Sequence, residues 1–367
     1  MNAKLSRSIG LALLVIVVVV LVALRLPAIR NGGSGGVVAP PQITVRGTIG
    51  SEKANFLDDP EIKKILRDTY GLTVDYRKAG SLQIAQGAAT GQDFVWPSGQ
   101  YPKEVYERDH GAPSKADVTF SSPLVMYAWA PVTQALTGAG IAEQIDGTTY
   151  VDMAKLLTTI NDGKSWREVG LPQVGGKVLV YTTDPTKSNS GNLFAGLLAN
   201  TLNGGAVVDE STIGTVLPGV TGFYGRLGYT TDSSGFLFDQ FLSQGIGAYP
   251  LIVGYENQLI EYSVEHPELR DVLLKQINIL YPRPTTWATH TMMALNPNGI
   301  RLLDALKDPA IQKLAWERHG FRTGLIGVQN DPAVLQVVGV PRTSVQTAQP
   351  IPRAGVMDRI VQGLGGP

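Results

Sequence analysis

The sequence predicts an α/β fold built as two lobes, and three observations support that prediction. Strand-like and helix-like segments alternate from Ile43 onward, which is typical of βαβ units. The chain has 367 residues, a length that suits two domains better than one. Its apolar content of 43% is enough for a sizeable core. Each lobe is therefore expected to be a mostly parallel sheet with flanking helices.

The elements of the first lobe are predicted in chain order. Two segments, "ITVRGTIG" and "LTVDYRKAG", have the pattern of strands, and "SEKANFLDDPEIKKILRDTY" between them has that of a helix ended by Gly71. "SLQIAQGAA" begins another helix, "DFVWPSG" runs from a strand into a loop, and "YPKEVYERDH" is helical. The long β-prone run "DVTFSSPLVMYAWAPV" is expected to carry the chain into the second lobe near Ser121–Ala130.

The second lobe shows the same alternation. "KVLVYTTD" is a predicted strand, "SGNLFAGLLANTL" and "GFLFDQFLSQG" are predicted helices, and "AYPLIVGYENQLIEY" is a strand that enters a helix. Another β-prone run, "INILYPRPTTWATHTMMALN", is expected to return the chain to the first lobe near Ile277–Leu295. "GIRLLDALKDPAIQKLAWERHG" then predicts one or two amphipathic helices.

These patterns divide the chain into five parts: 1–30, a cytoplasmic stub and signal anchor; 31–42, a flexible linker; 43–126 plus 278–327, lobe 1; 127–277, lobe 2; and 328–367, a Pro/Gln-rich tail. The linker, "NGGSGGVVAPPQ", combines a flexible Gly/Ser spacer with a stiffer Pro pair. Within the tail, "TSVQTAQPIPRAG" is expected to be disordered, and "VMDRIVQGL" is a candidate for one short helix.

The N-terminus predicts export and membrane attachment. Lys4 and Arg7 precede an apolar run from Ile9 to Leu24, and Arg25 follows it. The run is slightly shorter than the ~20 residues that a transmembrane helix prefers, and it is longer than many signal-peptide cores. No clean small-residue cleavage site follows. We expect an uncleaved signal anchor, with a single-pass transmembrane helix and an extracytoplasmic body; the alternative is a poorly marked, cleaved signal peptide.

Composition and motifs exclude several functions. The sequence has 31 basic and 31 acidic residues, and this balance argues against nucleic acid as the main partner. It has no Cys, and its four His residues lack metal-ligand spacing, so no metal site and no cofactor are expected. There is no dinucleotide or P-loop motif and no serine-nucleophile context. The sequence therefore predicts a protein that is not an enzyme and has no catalytic residues.

Small hydrogen-bonding residues stand where strands end and helices begin. In open α/β sheets ligands bind at these strand ends, and helix N-termini there bind anions without basic side chains. Ser before a helix is also a routine N-cap, so capping remains the alternative for each one. The candidate ligand-binding residues of this kind are Gly50, Ser51, Ser81 after Gly80, Ser121, Ser122, Ser188, Asn189, Ser190 and Gly191.

Tyr255 and Glu256 follow a very apolar strand and complete the candidate set. One interpretation is a Tyr255 hydroxyl that points into the cleft, with Glu256 positioning it or meeting a cation. The other is a tyrosine at the sheet rim beside a solvated glutamate. Two aromatic residues, Trp96 and Trp287, are candidates for cleft or hinge walls, although core packing is the favoured interpretation for both. His290, in the return crossing, is interpreted as a buried histidine with satisfied hydrogen bonds.

The order of these motifs resembles the type II periplasmic solute-binding proteins of ABC transporters, especially the molybdate- and sulfate-binding branch. The resemblance runs from about Ile43 to Thr323. It rests on the "GS" after the first strand, "AGSLQIAQGAATGQDFVWPSGQYPKEVY", "FSSPLVMYAW", "TDPTKSNSG", "GIGAYPLIVGYENQ" and "DPAIQKLAWERHGFR".

The resemblance implies a receptor whose two lobes close over one small solute and are then recognised by an ABC permease. Molybdate-type members hold an oxyanion with hydroxyl and backbone N–H groups, and Ser51, Ser81, Ser190 and Tyr255 are the best positional matches. A small oxyanion such as molybdate, sulfate or phosphate is the expected ligand, with a small polar organic solute as the alternative. A non-transport scaffold module and a hydrolase that uses His290 or His319 are the other functions considered.

Overall fold

The computed structural model describes residues 41–366 except 229, 326–329, 336, 338 and 342–347. Within them lie nine strands: β1 (Ile43–Ile49), β2 (Leu72–Lys78), β3 (Phe94–Trp96), β4 (Lys115–Trp129), β5 (Ala142–Ile145), β6 (Thr148–Asp152), β7 (Leu251–Tyr255), β8 (Ile277–Arg283) and β9 (Trp287–Ala294). Two 3₁₀ helices span Ser51–Lys53 and Pro332–Val334.

The α-helices of the described residues are α1 (Ala54–Asp58), α2 (Pro60–Tyr70), α3 (Ser81–Gln86), α4 (Gln100–His110), α5 (Ala130–Gly138), α6 (Met153–Asn161), α7 (Asn189–Leu202), α8 (Ile213–Leu227), α9 (Ser234–Gln244), α10 (Glu256–Glu265), α11 (Arg270–Gln276), α12 (Pro297–Ala305), α13 (Pro309–His319) and α14 (Ala354–Gly363). The helices predicted for both lobes are present, but the single helix predicted over "SEKANFLDDPEIKKILRDTY" is divided into a 3₁₀ helix, α1 and α2. The segment from α5 to α6 and the helices α8 and α11 were not predicted.

Lobe 1 is organised around the strand order β2-β1-β3-β9-β4. Strands β1, β2 and β3 run parallel, as predicted, while β9 pairs antiparallel with both β3 and β4. The core of this lobe includes Phe56, Phe94, Trp96 and Phe120, which are fully buried. The sheet is mixed because β4 and β9 are the long strands that link the lobes in opposite directions.

In lobe 2 the expectation of a mostly parallel sheet is wrong. The second half of β4 pairs antiparallel with β7 and β8, and β6 pairs parallel with β8. Strands β5 and β6 form a hairpin whose turn residues, Asp146 and Gly147, both have positive φ, as type I′ turns require. The predicted strand "KVLVYTTD" is extended, but its contact with β7 is a single bridge between Tyr181 and Ile252.

Strand β4 passes from one lobe to the other within the interval predicted for the first crossing. Pro123 still pairs with Trp287 of β9, whereas Leu124 pairs with Tyr255 of β7. The return occurs between β8 and β9. Residues 277–283 pair with lobe 2 strands, so the predicted start of the second lobe 1 segment at residue 278 is too early. The proline-rich "YPRP" interrupts what the sequence shows as one β-prone run.

Helix α2 illustrates how local signals fix the elements of lobe 1. The carboxylate of Asp59 accepts hydrogen bonds from the N–H groups of Glu61 and Ile62, and Pro60 occupies the first turn. Such an N-cap is worth about 1 kcal/mol. Gly71 ends the helix in the left-handed conformation, with φ of 67°. Ile62 and Leu66 are thereby placed in the core.

The C-terminal tail is more ordered than the sequence suggests. The expected disorder is wrong for its described residues 348–355, because Ala348 bridges to Thr285 and the Asn200 side chain donates to the carbonyl of Pro350 at 3.0 Å. The predicted short helix is present as α14. Its apolar face joins the lobe 2 core, with these residues buried: Val356, Met357, Ile360 and Val361. Residues 342–347 lie outside the described part of the chain.

No helix in residues 41–366, with the exceptions given above, is both long enough and apolar enough to cross a membrane. The predicted signal anchor, residues 1–30, lies outside the described residues.

Candidate functional site

A cavity of about 200 Å³ lies between the two lobes. Lobe 1 contributes the segments that follow β1 and β2, and lobe 2 contributes the starts of α7, α9 and α10. This is the carboxyl-end edge where ligands bind in open α/β sheets. The predicted site residues that line this cavity, here called the hydroxyl cavity, are Gly50, Ser51, Ser81, Ser188, Asn189 and Tyr255.

Each lining segment is also the first turn of a helix. The 3₁₀ helix Ser51–Lys53 and α3 begin at the cavity from lobe 1, and α7, α9 and α10 begin there from lobe 2. The first turn of a helix leaves N–H groups without intrahelical partners and carries a partial positive charge. Several such ends at one cavity create an environment that favours a bound anion.

Helix capping does not account for most of the hydroxyl groups at this cavity. Ser188 is the N-cap of α7, yet its side chain makes no capping hydrogen bond, and its Oγ lies 3.1 Å from Ser190 Oγ. The corresponding caps in lobe 1 are glycines, Gly50 and Gly80, which have no side chain to contribute. Ser233 is a different case, because it accepts from Phe236 N at 3.5 Å and caps α9.

Polar contacts and glycines bring the lobes together around the cavity. Ser51 Oγ of lobe 1 lies 3.2 Å from Ser233 Oγ of lobe 2, and the Asn189 side chain donates to the carbonyl of Ser98. A Cβ added to Gly99 would lie 2.1 Å from Asn189 Oδ1, and one added to Gly80 would lie 2.4 Å from the Lys187 carbonyl. Glycine is therefore required at both positions for this approach of the lobes.

Tyr255 presents a hydroxyl that is held as a donor. The residue is 1% exposed, lines the cavity and accepts a hydrogen bond from Asn189 Nδ2 at 3.0 Å. Burial, together with the negative charge of Glu52, raises the pKa of Tyr255 well above its usual value. The hydroxyl therefore keeps its proton, and it can donate that proton to a ligand or to the neighbouring Ser190 hydroxyl, with which it also hydrogen-bonds.

A buried charged cluster forms the floor of the cleft: Glu52, Lys53, Ser98 and His290. Lys53 is fully buried, and its Nζ bonds Glu52, Ser98 Oγ at 2.7 Å and His290 Nδ1 at 3.3 Å. His290 Nδ1 also lies 3.4 Å from Glu52 Oε1, while His290 Nε2 has no hydrogen-bond partner among the described residues. Three of these groups titrate, so their charges are coupled.

Burial and pairing set those charges. Burial alone would raise the pKa of Glu52, but the charge of Lys53 and hydrogen bonds from His290 and Lys53 outweigh it and hold the pKa far below the usual range. Burial lowers the pKa of Lys53, and the charge of Glu52 opposes that shift. Burial and the charge of Lys53 lower the pKa of His290 to about 4. At neutral pH, His290 is therefore uncharged and Glu52 is ionised.

The charges that line the hydroxyl cavity are largely neutralised within the protein. Glu52 pairs with Lys53, and Asp232 pairs with Lys187 at 2.9 Å. Lys78 adds a further positive charge at the exposed rim. The carboxylates in the cavity wall therefore do not create a net negative site.

Glu256 does not face the cavity. It is fully buried, with its Oε1 2.6 Å from Arg322 Nε, its Oε2 2.9 Å from Arg322 Nη2 and a hydrogen bond from the Tyr281 hydroxyl. The cation that it meets is thus an arginine of the protein, and the interpretation as a solvated glutamate is wrong. Tyr255, its neighbour, does reach the cleft.

Four predicted site residues do not line the hydroxyl cavity. Ser121 and Ser122 belong to β4: Ser121 exchanges backbone hydrogen bonds with Arg322, and Ser122 Oγ accepts from Asn257 N at 3.4 Å. The other two, Ser190 and Gly191, lie deeper in α7. Ser190 Oγ is 2.7 Å from Thr183 Oγ1, and a Cβ on Gly191 would lie 2.5 Å from the Thr183 carbonyl, so this pair serves helix packing.

The aromatic and histidine candidates have structural surroundings. Trp96 is buried and donates to the His290 carbonyl at 3.2 Å, and Trp287 lies beside the Arg322 guanidinium, with 5.9 Å between guanidinium and ring. His319 bonds Glu261 at 2.6 Å. Within the described residues, neither His290 nor His319 is hydrogen-bonded to a cleft serine, and no three His, Cys, Asp or Glu side chains group as metal ligands.

Sequence reasoning missed several residues at the cleft: Glu52, Lys53, Ser98, Ser233 and Ser234. The serine pair had a usable signal, because "DSSG" precedes a helix in the same way as "SNSG" does. The buried Lys53 had no such signal in the sequence, since its partner His290 is 237 positions away.

No protein-family model and no curated protein sequence matches the chain. Solved structures do. The sulfate-binding protein SubI from Mycobacterium tuberculosis H37Rv is 17% identical with a TM-score of 0.52, and the match covers 82% of this chain and 93% of that one. The periplasmic binding protein AfuA from Actinobacillus pleuropneumoniae, with fructose-6-phosphate bound, is 11% identical with a TM-score of 0.54, covering 87% and 96%.

A putative extracellular solute-binding protein from Bordetella parapertussis gives a TM-score of 0.55 at 9% identity, with 88% of this chain and 96% of that one covered. At such identities the likeness establishes the fold. The chain has the mixed α/β, two-lobed fold of the type II periplasmic solute-binding proteins, and the fold implied by the sequence resemblance is confirmed.

Proposed function

We propose that this protein is a membrane-anchored, extracytoplasmic solute-binding protein that closes its two lobes over a small oxyanion and delivers it to an ABC-type importer. One observation carries the proposal: helix N-termini from both lobes, with hydroxyl residues at their first positions, converge on the hydroxyl cavity. Such a set is complete only when the lobes are together, which is the property that a closing receptor needs.

The donor set favours an oxyanion over a metal cation. Hydroxyl and amide groups with helix N-termini supply hydrogen-bond donors and positive potential, whereas the positive potential of helix N-termini disfavours a cation. Glu52, the carboxylate in the wall, is already paired with Lys53. The sulfate-binding protein and the fructose-6-phosphate complex named above are solute receptors of the same fold, and both solutes carry a tetrahedral oxyanion group.

The membrane anchor and the importer rest on the sequence. The apolar run Ile9–Leu24 with basic flanks supports an anchor, and the Gly/Pro linker that follows would hold the folded body away from the membrane. A permease would then receive the solute from the closed body.

A thermal-shift titration of the full-length chain with molybdate, sulfate and phosphate tests the ligand class. An anion at 100 times its Kd should stabilise the fold by about 2.7 kcal/mol, which raises the melting temperature by several degrees. Chloride at the same ionic strength is the control. If no oxyanion shifts the melting temperature but a neutral organic solute does, the oxyanion is ruled out and the receptor function remains.

Tyr255→Phe is the sharpest single substitution for this proposal. It removes the hydroxyl donor and keeps the ring, so the affinity for the anion should fall by about 1.5–3 kcal/mol, or roughly tenfold to a hundredfold. Isothermal titration calorimetry measures the change. The control is Tyr70→Phe, which removes a hydroxyl bonded to Asp308 within lobe 1, away from the cavity, and should leave the affinity unchanged. Equal affinities in wild type and Tyr255→Phe would exclude Tyr255 from the site.

A second function, a non-transport binding or scaffold module, is favoured by the tail. Helix α14 packs in the lobe 2 core, and its Asp358 bonds Tyr101 and Arg108 of lobe 1, each at 2.7 Å. This contact fastens the lobes together opposite β4. Small-angle scattering with and without the anion separates the two functions. A receptor should become more compact on binding, whereas a scaffold held shut should not change.

A further inference from the structure

A second, larger chamber adjoins the hydroxyl cavity. It has a volume of about 410 Å³ and shares four lining residues with the hydroxyl cavity: Ser51, Glu52, Lys78 and Ser233. The two spaces therefore adjoin along these residues, where Ser51 Oγ of lobe 1 lies 3.2 Å from Ser233 Oγ of lobe 2. A single tetrahedral anion in the hydroxyl cavity would leave this chamber to water.

The chamber has a different chemistry from the cavity beside it. Beyond the shared Glu52, its walls carry three more carboxylates, Asp239, Glu261 and Glu265, and three aromatic rings, Phe236, Phe238 and Tyr262. Phe236 is 54% exposed, which is unusual for so large an apolar side chain. Carboxylates and ring faces are the groups that proteins use to hold an ammonium.

A second observation independently indicates a ligand at this chamber. Asn257 lines it and is fully buried, yet neither its Oδ1 nor its Nδ2 has a hydrogen-bond partner within the described part of the chain. Its backbone N–H donates to Ser122 Oγ, so the residue is fixed at the start of α10 while its side-chain amide remains unsatisfied. Buried amide groups without partners are uncommon, and this one has both an acceptor and a donor left for a polar ligand.

We propose that the ligand is a small zwitterion, a tetrahedral phospho or sulfo group joined by a short organic chain to an ammonium group. The oxyanion occupies the hydroxyl cavity, as in the proposed function on which this inference rests. The ammonium extends into the acidic chamber between Asp239, Glu265 and the aromatic walls, and Asn257 Oδ1 supplies an acceptor. Sequence reasoning left a small polar organic solute as the alternative to an inorganic anion, and a zwitterion of this type uses both parts of the cleft.

The arrangement argues against a larger anion without an amine. Glu261 is already engaged by His319 at 2.6 Å and by Asn55 at 3.3 Å, but no hydrogen bond to the carboxylates of Asp239 and Glu265 is found within the described residues. An uncharged or anionic extension would desolvate or approach these carboxylates without compensation, whereas an ammonium pairs with them.

The test is isothermal titration calorimetry at pH 7 on the full-length chain with pairs of probes that differ only at the amine. O-phosphoethanolamine is compared with propyl phosphate, and taurine with propane-1-sulfonate; in each pair a methyl group replaces the ammonium. The ammonium compound of the phospho or the sulfo pair should bind about tenfold tighter than its methyl counterpart. Inorganic phosphate and sulfate are measured in parallel.

Variants test whether the carboxylates of the acidic chamber cause the tighter binding of the ammonium compound. The double variant Asp239→Asn with Glu265→Gln should reduce the advantage of the ammonium to less than about twofold and leave the affinity for the inorganic anion unchanged or slightly higher. The control Glu210→Gln removes a carboxylate on the exposed surface, paired with Arg359, and should retain the full preference. The melting temperature of each variant establishes that it is folded. Because the substituted side chains are exposed, we expect all the variants to fold.

The outcomes separate the two proposals. If inorganic phosphate or sulfate binds but the ammonium gives no advantage, or if the advantage persists in the double variant, the zwitterion is wrong and the oxyanion receptor stands. If none of the probes binds, and phosphate, sulfate and the molybdate of the thermal-shift titration do not bind either, the oxyanion receptor itself is wrong. If the double variant loses the tighter binding of the ammonium compound and the control Glu210→Gln retains it, the result supports the acidic chamber as the ammonium site.

Discussion

Two glutamates in this protein occupy similar positions and have different surroundings. Glu52 follows Ser51 at the start of the helical turn after β1 in lobe 1, and Glu256 follows Tyr255 at the start of α10 after β7 in lobe 2. Each is nearly or fully buried beside a basic side chain and a hydroxyl group. The sequence offers no distinction between them, since both stand one position after a predicted site residue.

The difference lies in what else each carboxylate meets. Glu256 receives two hydrogen bonds from the planar Arg322 guanidinium and one from Tyr281, and it lines neither cavity of the cleft. Glu52 meets the single ammonium of Lys53, lines both cavities and lies 3.4 Å from the ring nitrogen of His290. A bidentate arginine pair closes a structural network, whereas a lysine shared among three partners leaves a charge balance that a ligand and pH can alter.

The largest expected effect is at the pair Glu256–Arg322, here called the hinge pair because Arg322 bridges to Ser121, beside the point where β4 passes between the lobes. Arg322→Met would leave Glu256 buried without its cation and should lower the free energy of unfolding by about 3–5 kcal/mol, without changing the affinity of the folded protein for its anion. Urea denaturation measures the loss. The surface control Arg359→Met, whose partner Glu210 is exposed, should cost less than about 1 kcal/mol. A change in anion affinity would contradict the purely structural role given to this pair.

Lys53→Met is the matching change at the cleft. Removing the partner of Glu52 should lower the free energy of unfolding by about 3 kcal/mol and also weaken anion binding at pH 8, because the ionised carboxylate in the cavity wall is no longer neutralised. Without Lys53, burial raises the pKa of Glu52, so the anion affinity of the variant should recover as the pH falls. Glu52→Gln combined with Lys53→Met should restore both properties. Unchanged affinity in the single variant would remove the distinction between the two glutamates.

His290 should make the cleft cluster, and not the hinge pair, sensitive to mild acid. Its pKa is about 4 in the folded protein and 6.5 in the unfolded chain, so the unfolded state binds more protons between these values. The contribution of the neutral His290 ring to the free energy of unfolding is fully present above pH 6.5. It decreases as the pH falls, and about 2 kcal/mol of it is lost at pH 5. The stability that ionised Glu52 contributes is lost only below about pH 4.5, the ordinary pKa of a glutamate. Urea unfolding from pH 7 to 5 should show this slope in wild type, and His290→Gln should flatten it; an equal slope in both would exclude His290.

The residues that the sequence located are those with local signals. Ser51, Ser81 and Ser188 could be found because each stands beside a predicted strand end or helix start, and helix geometry then places it at the ligand edge. Lys53 and His290 could not be paired, because their contact depends on how β9 returns beside β4, which no local pattern records. Burial of a lysine also contradicts the expectation that such residues are solvated.

The fold was predictable to a similar extent. The α/β alternation and the strands that link the lobes followed from β-prone runs and helix boundaries. The hairpin of β5 and β6 was missed although "IDGT" carries the Asp-Gly turn signal, and so lobe 2 was expected to be parallel. That the tail is ordered could not be predicted from its Pro- and Gln-rich composition, because its ordered structure depends on contacts with Thr285 and Asn200.

The smallest effects are expected from removing the hydroxyl groups that are bonded to the two glutamates. This comparison is the most even one, because each glutamate loses one hydroxyl partner. Tyr281→Phe removes the hydroxyl from Glu256 and Ser98→Ala removes it from Glu52, so each should lower the free energy of unfolding by about 1.5–3 kcal/mol, the range for a hydrogen bond to a charged group. Only Ser98→Ala should also weaken anion binding, because Ser98 Oγ positions Lys53, which neutralises Glu52 in the cavity wall. Calorimetric titration beside urea unfolding separates the two quantities. If both variants lose affinity equally, the anion site extends to the hinge pair; if neither does, the serine serves the cluster alone.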